Sequence, residues 1–155
     1  MMKKMNYGFL NFENEAELKA AAYAHESAPL NWDPNYFVTA DRVKMWVDVF
    51  LKIKDRGDAF VYVARNESEK LIGFHWVNIE IKDAQKCARI DSLWVDESCR
   101  KQGVASRLKF EGEKWAKDQG ATSIRTGVFY NNQRMIEFNI KLGFKPQQVE
   151  MTKTL

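Results

Sequence analysis

Leu-Trp-Val-Asp-Glu-Ser-Cys-Arg-Lys-Gln-Gly-Val-Ala-Ser, residues 93–106, passes from an apolar strand into a helix, with Gly103 at the junction. The first backbone N–H groups of a helix have no acceptor within it, and the helix dipole adds partial positive charge there. Gly103 and Ala105 leave room for close approach, two basic residues precede the glycine, and the hydroxyl of Ser106 can donate a hydrogen bond. The stretch therefore predicts a helix start that binds an anion such as a diphosphate.

The same loop has a simpler interpretation, in which Gly103 serves only as the turn that leads into the helix. The loop is not a Walker motif, because it lacks Gly-Lys-Ser/Thr, and it lacks the third glycine of a dinucleotide fingerprint. Both interpretations stay open on this pattern alone.

The flanking sequence predicts an α/β or α+β domain with the order β-α-α-β-β-β-α-β-α-β. Runs of β-branched and aromatic residues predict six strands, at Tyr7–Phe12, Ala59–Arg65, Leu71–Ile81, Arg89–Val95, Ser123–Phe129 and Val149–Thr154. Capping residues predict four helices that begin after Asn14 (in a capping box with Glu17), after Thr39 or Asp41, near Val104, and after Asn131 or Asn132. No linker or repeat interrupts residues 1–155, so we expect one domain.

Composition narrows the class of protein. The net charge of +3 is spread along the chain, which argues against nucleic-acid binding and suits an anionic small ligand. Cys87 and Cys99 have neither metal-site nor disulfide spacing, so we expect reduced thiols and no metal. Apolar runs such as Phe60–Ala64 are too short to cross a bilayer, and no signal-peptide core follows Lys3 and Lys4. We expect a cytoplasmic protein without a membrane partner.

A second motif makes a family resemblance recognisable. A helix that begins after Asn132 ends in Leu142-Gly143-Phe144. Together with Arg100-x-x-Gly103-x-Ala105 and the strand before it, this motif resembles the GNAT superfamily of acetyl-CoA-dependent N-acetyltransferases. The resemblance is closest over Ala88–Phe144. It implies a mixed, mostly antiparallel sheet of six to seven strands with about four helices, in which the strands 89–95 and 123–129 splay into a V-shaped cleft.

The resemblance also implies where acetyl-CoA binds. Backbone groups of Leu93 and Val95 would pair with the pantetheine arm as an added strand, and an N–H near Leu93 would stabilise the oxyanion. Amides of the loop would hold the pyrophosphate, and Asn132 would contact the pantetheine end. The implied cofactor-binding residues are Leu93, Trp94, Val95, Arg100, Lys101, Gln102, Gly103, Val104, Ala105, Ser106, Asn132 and Asn139.

Acetyl transfer to an amine needs a base, because an alkyl amine is only about one part in two thousand neutral at pH 7. Asp91 is the first candidate, two positions before Leu93 on what we expect to be the same strand face; alternatively, it only pairs with Arg89 or Lys86. Glu80 is the reserve. Many relatives carry a tyrosine as proton donor where this chain has Asn139, and an amide could only hydrogen-bond the sulfur or place a water. Tyr130 is the possible substitute, with packing as its alternative role.

The acceptor of the acetyl group is the part of the reaction that the sequence specifies least. Aromatic residues of the loop after the first helix, and others near the sheet, are candidate acceptor contacts or plain core residues: Trp32, Tyr36, Phe37, Trp76 and Tyr130. The main hypothesis is acetyl transfer from acetyl-CoA to a primary amine of a small molecule, peptide or protein in a ternary complex. The alternatives are a non-catalytic acyl-CoA-binding sensor or partner module, and an unrelated phosphate- or nucleotide-binding domain. Relatives are often dimers, so a homodimer is an expectation.

Overall fold

The computed structural model describes residues 3–155 and contains a five-stranded sheet with the strands in chain order. The strands are β1 (Asn6–Phe9), β2 (Ala59–Arg65), β3 (Leu71–Lys82), β4 (Gln85–Val95) and β5 (Ile124–Thr126). The first four strands pair antiparallel, and β5 pairs parallel to β4. The predicted mixed, mostly antiparallel sheet is therefore confirmed.

Helices cover both faces of this sheet. They are α1 (Glu15–Ser27), α2 (Ala40–Ile53), α3 (Val104–Asp118) and α4 (Gln133–Lys141), with short 3-10 turns at Ala28–Asn31 and Glu97–Cys99. One core cluster joins α1 and α2 to Phe74 and Trp76 of β3, and two others join α3 to the opposite face. None of the helices within residues 3–155 has both the length and the apolar composition needed to cross a membrane.

Local capping chemistry places the helix starts. Side chains of Asn14, Thr39 and Asn132 accept hydrogen bonds from backbone N–H groups in the first turns of α1, α2 and α4. The predicted capping box at α1 is only half formed, because the Glu17 carboxylate turns to the Asn11 N–H and to the Arg65 guanidinium. Glu17 thereby ties the start of α1 to β2.

A β-bulge interrupts the pairing of β3 with β4. Trp76 lies opposite Ser92 and Val77 lies opposite Ile90, so Asp91 has no partner in the register. A bulge inserts one unpaired residue and increases the local twist of the strand. The pairing of β4 with β5 ends at the same level, where Ile90 lies opposite Thr126.

The carboxyl-terminal part of the sheet differs from the prediction. The expected strand at Val149–Thr154 is wrong, because residues 145–155 form neither helix nor strand, and the sheet has five strands instead of six or seven. Strand β5 covers three residues rather than the seven of Ser123–Phe129. So short a strand offers few backbone groups to a further strand, and the alternating apolar residues Val149 and Met151 stay 80% and 87% exposed.

Candidate active site

The unpaired edge of β4 borders an opening between the diverging strands β4 and β5. The Asp96 N–H donates to the Ile72 carbonyl of β3 over 2.9 Å. Because main-chain groups alternate in direction along a strand, the N–H and C=O of Leu93 and Val95 point the other way, toward the side that β5 has left. The side chains of both residues pack under α3 beside Val104 and Leu108.

The loop that follows presents unpartnered backbone donors. Within residues 3–155, no acceptor engages the N–H groups of Lys101–Ser106, and the first helical bond of α3 runs from the Arg107 N–H to the Gly103 carbonyl. Gly103 is left-handed with φ +82°, and it caps α3 without a side-chain hydrogen bond. Lys101 is also left-handed, with φ +60°. This geometry fits an anion at the start of α3.

The side chain of Arg100, which we expected to add positive charge at the loop, donates hydrogen bonds to two oxygens of the chain. Arg100 donates from Nε to the Val95 carbonyl over 3.1 Å and from Nη2 to Asn31 Oδ1 over 2.8 Å. Burial lowers the pKa of Arg100, and the positive charge of Arg134 lowers it further. Arg134, which the sequence reasoning missed, therefore brings a second guanidinium from α4 near the loop.

Side chains of the two asparagines in and beside α4 are already engaged. The Asn132 Oδ1 caps the helix, and the Asn139 Oδ1 accepts a 2.7 Å hydrogen bond from Lys109 Nζ. Lys109 and Asn139 are only 2% and 5% exposed, and the ammonium lies 4.4 Å from the ring centroid of Phe144. Burial lowers the pKa of Lys109 to about 8.

Asp91 lies on the other face of the sheet from Leu93 and Val95, so the expectation of a shared face is wrong. Its carboxylate accepts hydrogen bonds from Asn78 Nδ2 and, over 2.8 Å, from Arg89 Nε, on the face covered by α1 and α2. The bulge is the reason, because the extra residue breaks the strict alternation on which the expectation relied. Of the two ion-pair partners considered for Asp91, Arg89 is the one observed.

Glu80 is held by two guanidiniums. Its carboxylate accepts from Arg125 over 2.5 Å and from Arg89 over 3.3 Å. The hydrogen bond from Arg125, above all, lowers the pKa of Glu80. It lies toward the end of β3 opposite Cys87, away from the bulge.

A cavity of about 470 Å³ lies between the loop from α1 to α2 and the loop from β5 to α4. Three of the candidate acceptor contacts, Trp32, Tyr36 and Tyr130, line it. Phe37 does not line the cavity and is 71% exposed, whereas Trp76 is buried in the core beside Phe50. The structure therefore brings three of these five aromatic residues together.

The sequence model of the Acetyltransferase (GNAT) family matches residues 23–144. The chain belongs to this family. GNAT acetyltransferases use acetyl-CoA as the acetyl donor, and the predicted membership of this family is confirmed. The predicted GNAT fold is confirmed too, with fewer strands than expected.

Known proteins support the assignment of the chain to the GNAT family. A mycothiol acetyltransferase from Segniliparus rotundus is 30% identical over 88 residues, which cover 56% of this chain but only 33% of the relative. A putative acetyl transferase from Pyrococcus furiosus superposes with a TM-score of 0.77 at 21% identity, covering 98% of this chain and 100% of the other. A glucosamine-6-phosphate N-acetyltransferase from Arabidopsis thaliana gives 0.73 at 16% identity, covering 98% and 99%. These two structural matches show the GNAT fold alone.

Two histidines of this GNAT chain lie near the bulge. His75 is fully buried, its Nδ1 lies 2.9 Å from the Ser92 carbonyl, and burial lowers its pKa to about 3, so it is a packed sheet residue. His25 lies in the last turn of α1. The sequence does not mark it as a site residue, because it fits the helical pattern of its neighbours. Its ring meets Trp46 edge-on at 4.1 Å, and within residues 3–155 its buried Nδ1 has no hydrogen-bond partner. Burial lowers the pKa of His25, although the charge of Asp91 opposes this shift.

Proposed function

We propose that this chain transfers the acetyl group of acetyl-CoA to the primary amine of a small molecule or a peptide, by direct attack in a ternary complex. The observation that carries the proposal is the open edge of β4 beside the unpartnered N–H groups at the start of α3. A β-strand edge and a helix start at one opening suit a ligand that has an amide-bearing arm and a diphosphate.

The diphosphate is bound by main-chain donors. The N–H groups of Lys101–Ser106 have no acceptor within residues 3–155, and Gly103 has open space around its Cα. The guanidiniums of Arg100 and Arg134 repel each other, and the charges of Glu97 and Asp96 only partly offset this effect at Arg100. An anion that binds at the loop relieves this repulsion.

The pantetheine arm adds to the edge of β4. Leu93 offers both N–H and C=O, whereas Val95 offers only its N–H, because Arg100 already donates to the Val95 carbonyl. Bound acetyl-CoA supplies the activated thioester. The Leu93 N–H is the donor that polarises the thioester carbonyl, because it lies nearest to the bulge on the open edge.

Asp91 is the proposed base. It lies at the bulge, where β4 and β5 separate, on the sheet face that α1 and α2 cover. The ammonium form of the amine loses one proton to the base, its nitrogen bonds to the acetyl carbon, and the carbon–sulfur bond breaks with its electron pair on sulfur. The second proton of the nitrogen replaces the one that the proton donor gives to the sulfur. Asn78 and Arg89 fix the orientation of the Asp91 carboxylate, and the His25 imidazole lies near enough for the charge of Asp91 to raise its pKa against the effect of burial.

Tyr130 is the proposed proton donor to the departing sulfur. It lines the acceptor cavity and is 81% exposed, so its hydroxyl is free to turn toward the cleft. Asn139 does not take this role, because an amide is not an acid at useful pH and its oxygen is held by Lys109.

A second candidate function is a non-catalytic acyl-CoA-binding module of the same fold. The buried Lys109–Asn139 contact favours it, since it occupies the position where many relatives carry a tyrosine. Binding would then use the same loop and edge without turnover.

Titration calorimetry with acetyl-CoA and a thiol-release assay over a broad amine panel separate these functions. Binding together with thiol release that depends on the amine is expected for the enzyme. Binding without release on any amine would support the module, and absence of binding would contradict both.

A further inference from the structure

The cavity described above has walls from distant parts of the chain that contact each other directly. Trp32 stacks on Phe129 with ring centroids 5.1 Å apart and an interplanar angle of 21°. Asn131 Nδ2 donates to the Trp32 carbonyl over 2.9 Å. The loop after α1 is also bonded to the start of the cofactor loop through Asn31 and Arg100. The cavity therefore adjoins the proposed acetyl-CoA site.

Its lining is aromatic and carries one formal charge. Four rings contribute, from Trp32, Tyr36, Phe129 and Tyr130, and the charged member is Asp33. No lysine or arginine of residues 3–155 belongs to the lining. Rings and a carboxylate together favour a cation that is attached to an apolar body.

The Asp33 carboxylate has one oxygen available. Its Oδ1 accepts from the Asn35 N–H over 2.9 Å, which fixes the side chain in a turn, and no hydrogen bond within residues 3–155 engages Oδ2. The guanidinium of Arg42 lies 5.7 Å from the centroid of the Tyr36 ring, and the Glu26 carboxylate 3.7 Å away opposes its charge. Within the lining itself, Asp33 supplies the charge.

We propose that this cavity selects an acceptor amine with a single positive charge on an aromatic or similarly apolar body, an inference that rests on the proposed acetyl transfer. A volume of about 470 Å³ suits a small molecule or one terminal residue of a peptide. A phosphorylated amino sugar would find no cationic side chain in the lining. A polyamine or an aminoglycoside would find one carboxylate for several charges.

Asp33 acts in binding and not in chemistry. It attracts the ammonium form of the acceptor, and the proton then leaves to the base before the nitrogen attacks. Replacing the carboxylate by an amide should therefore raise KM for a charged acceptor, leave kcat nearly unchanged, and have no effect on an uncharged acceptor of the same shape.

The experiment measures thiol release from acetyl-CoA with 2-phenylethylamine, glucosamine 6-phosphate, spermidine and kanamycin. Uncharged O-benzylhydroxylamine serves as the shape control. Asp33→Asn keeps the turn-forming oxygen, and Asp55→Asn changes an exposed aspartate elsewhere. We expect 2-phenylethylamine to give the highest kcat/KM. We also expect Asp33→Asn to raise its KM about fivefold, as for loss of one partly exposed charge contact, with O-benzylhydroxylamine and Asp55→Asn unaffected.

The outcomes separate the two proposals. Higher kcat/KM with glucosamine 6-phosphate, spermidine or kanamycin, or an equal effect of the two aspartate variants, would overturn the acceptor inference and leave acetyl transfer standing. Absence of both acetyl-CoA binding and thiol release would overturn the acetyl transfer and the acceptor inference together.

Discussion

Replacing Gly103 by glutamate should weaken acetyl-CoA binding by about two orders of magnitude. No atom of residues 3–155 lies within 4 Å of a Cβ built at Gly103, so the new side chain extends into open space at the start of α3. That space is where the proposed diphosphate meets the free N–H groups of the loop.

The magnitude follows from Coulomb's law. One carboxylate about 6 Å from one phosphate charge costs about 2.8 kcal/mol at an effective dielectric constant of about 20. Gly103 is exposed, so we halve this value for solvent screening, and two phosphate charges restore it to about 2.8 kcal/mol. This corresponds to about a hundredfold rise in Kd.

Titration calorimetry at fixed ionic strength measures the effect, with Gly57→Glu as the matched control. Gly57 is also left-handed, with φ +74° and open space around it, so its variant carries the same backbone strain and charge. Gly103→Ala separates strain from charge. Equal Kd values for the Gly103→Glu and Gly57→Glu variants would refute the placement of the diphosphate.

Three further predictions concern the base and the core. Asp91→Asn should lower turnover more at pH 7 than at pH 9, where more of the amine is already neutral; equal losses in the pH–rate profile would remove Asp91 as base. Gly112→Ala should destabilise the fold by about 1–2 kcal/mol in urea denaturation, because the added Cβ would lie 2.8 Å from Nε2 of fully buried His75; a gain in stability would contradict this packing. In wild type, the free energy of unfolding should rise from about pH 8 to pH 10.5, since the pKa of Lys109 is about 8 when folded and near 10.5 when unfolded, so the unfolded chain holds more protons there. The rise is about 3 kcal/mol, and the double variant Lys109→Met/Asn139→Leu should lack it. If this variant shows the same rise, groups other than Lys109 cause it.

Sequence reasoning succeeded where the deciding chemistry is local. Asn14, Thr39 and Asn132 cap helices through their own side chains, and Gly103 takes the left-handed conformation that glycine adopts readily. The helix-start loop and the order of the elements up to α4 were predictable for this reason.

Features that depend on contacts between residues far apart in the sequence were not predicted. Lys109 looks like an ordinary surface lysine of α3, and its burial depends on Asn139 and Phe144 from thirty or more positions away. The strand expected at Val149–Thr154 had suitable residues but no sheet edge long enough to pair with.

One inserted residue explains why Asp91 was predicted on the wrong face of the sheet. Ile90, Leu93 and Val95 all pack toward α3, and the three-residue step from Ile90 to Leu93 breaks the period of two. That step is a trace of the bulge in the sequence. If this segment is taken as a regular strand with strict alternation, Asp91 is assigned to the face of Leu93 and Val95.

Ser92 lies opposite Trp76 and Ile90 lies opposite Val77. These two pairs would follow one another in a regular ladder if Asp91 were absent. A chain without this residue should therefore pair β3 with β4 continuously, with no side chain on β4 changing sides. Its strand would also lose the extra twist that turns β4 away from β5. Hydrogen bonds between these two strands could then continue past Ile90 and close the gap between them. The single inserted residue therefore keeps the proposed cofactor groove open.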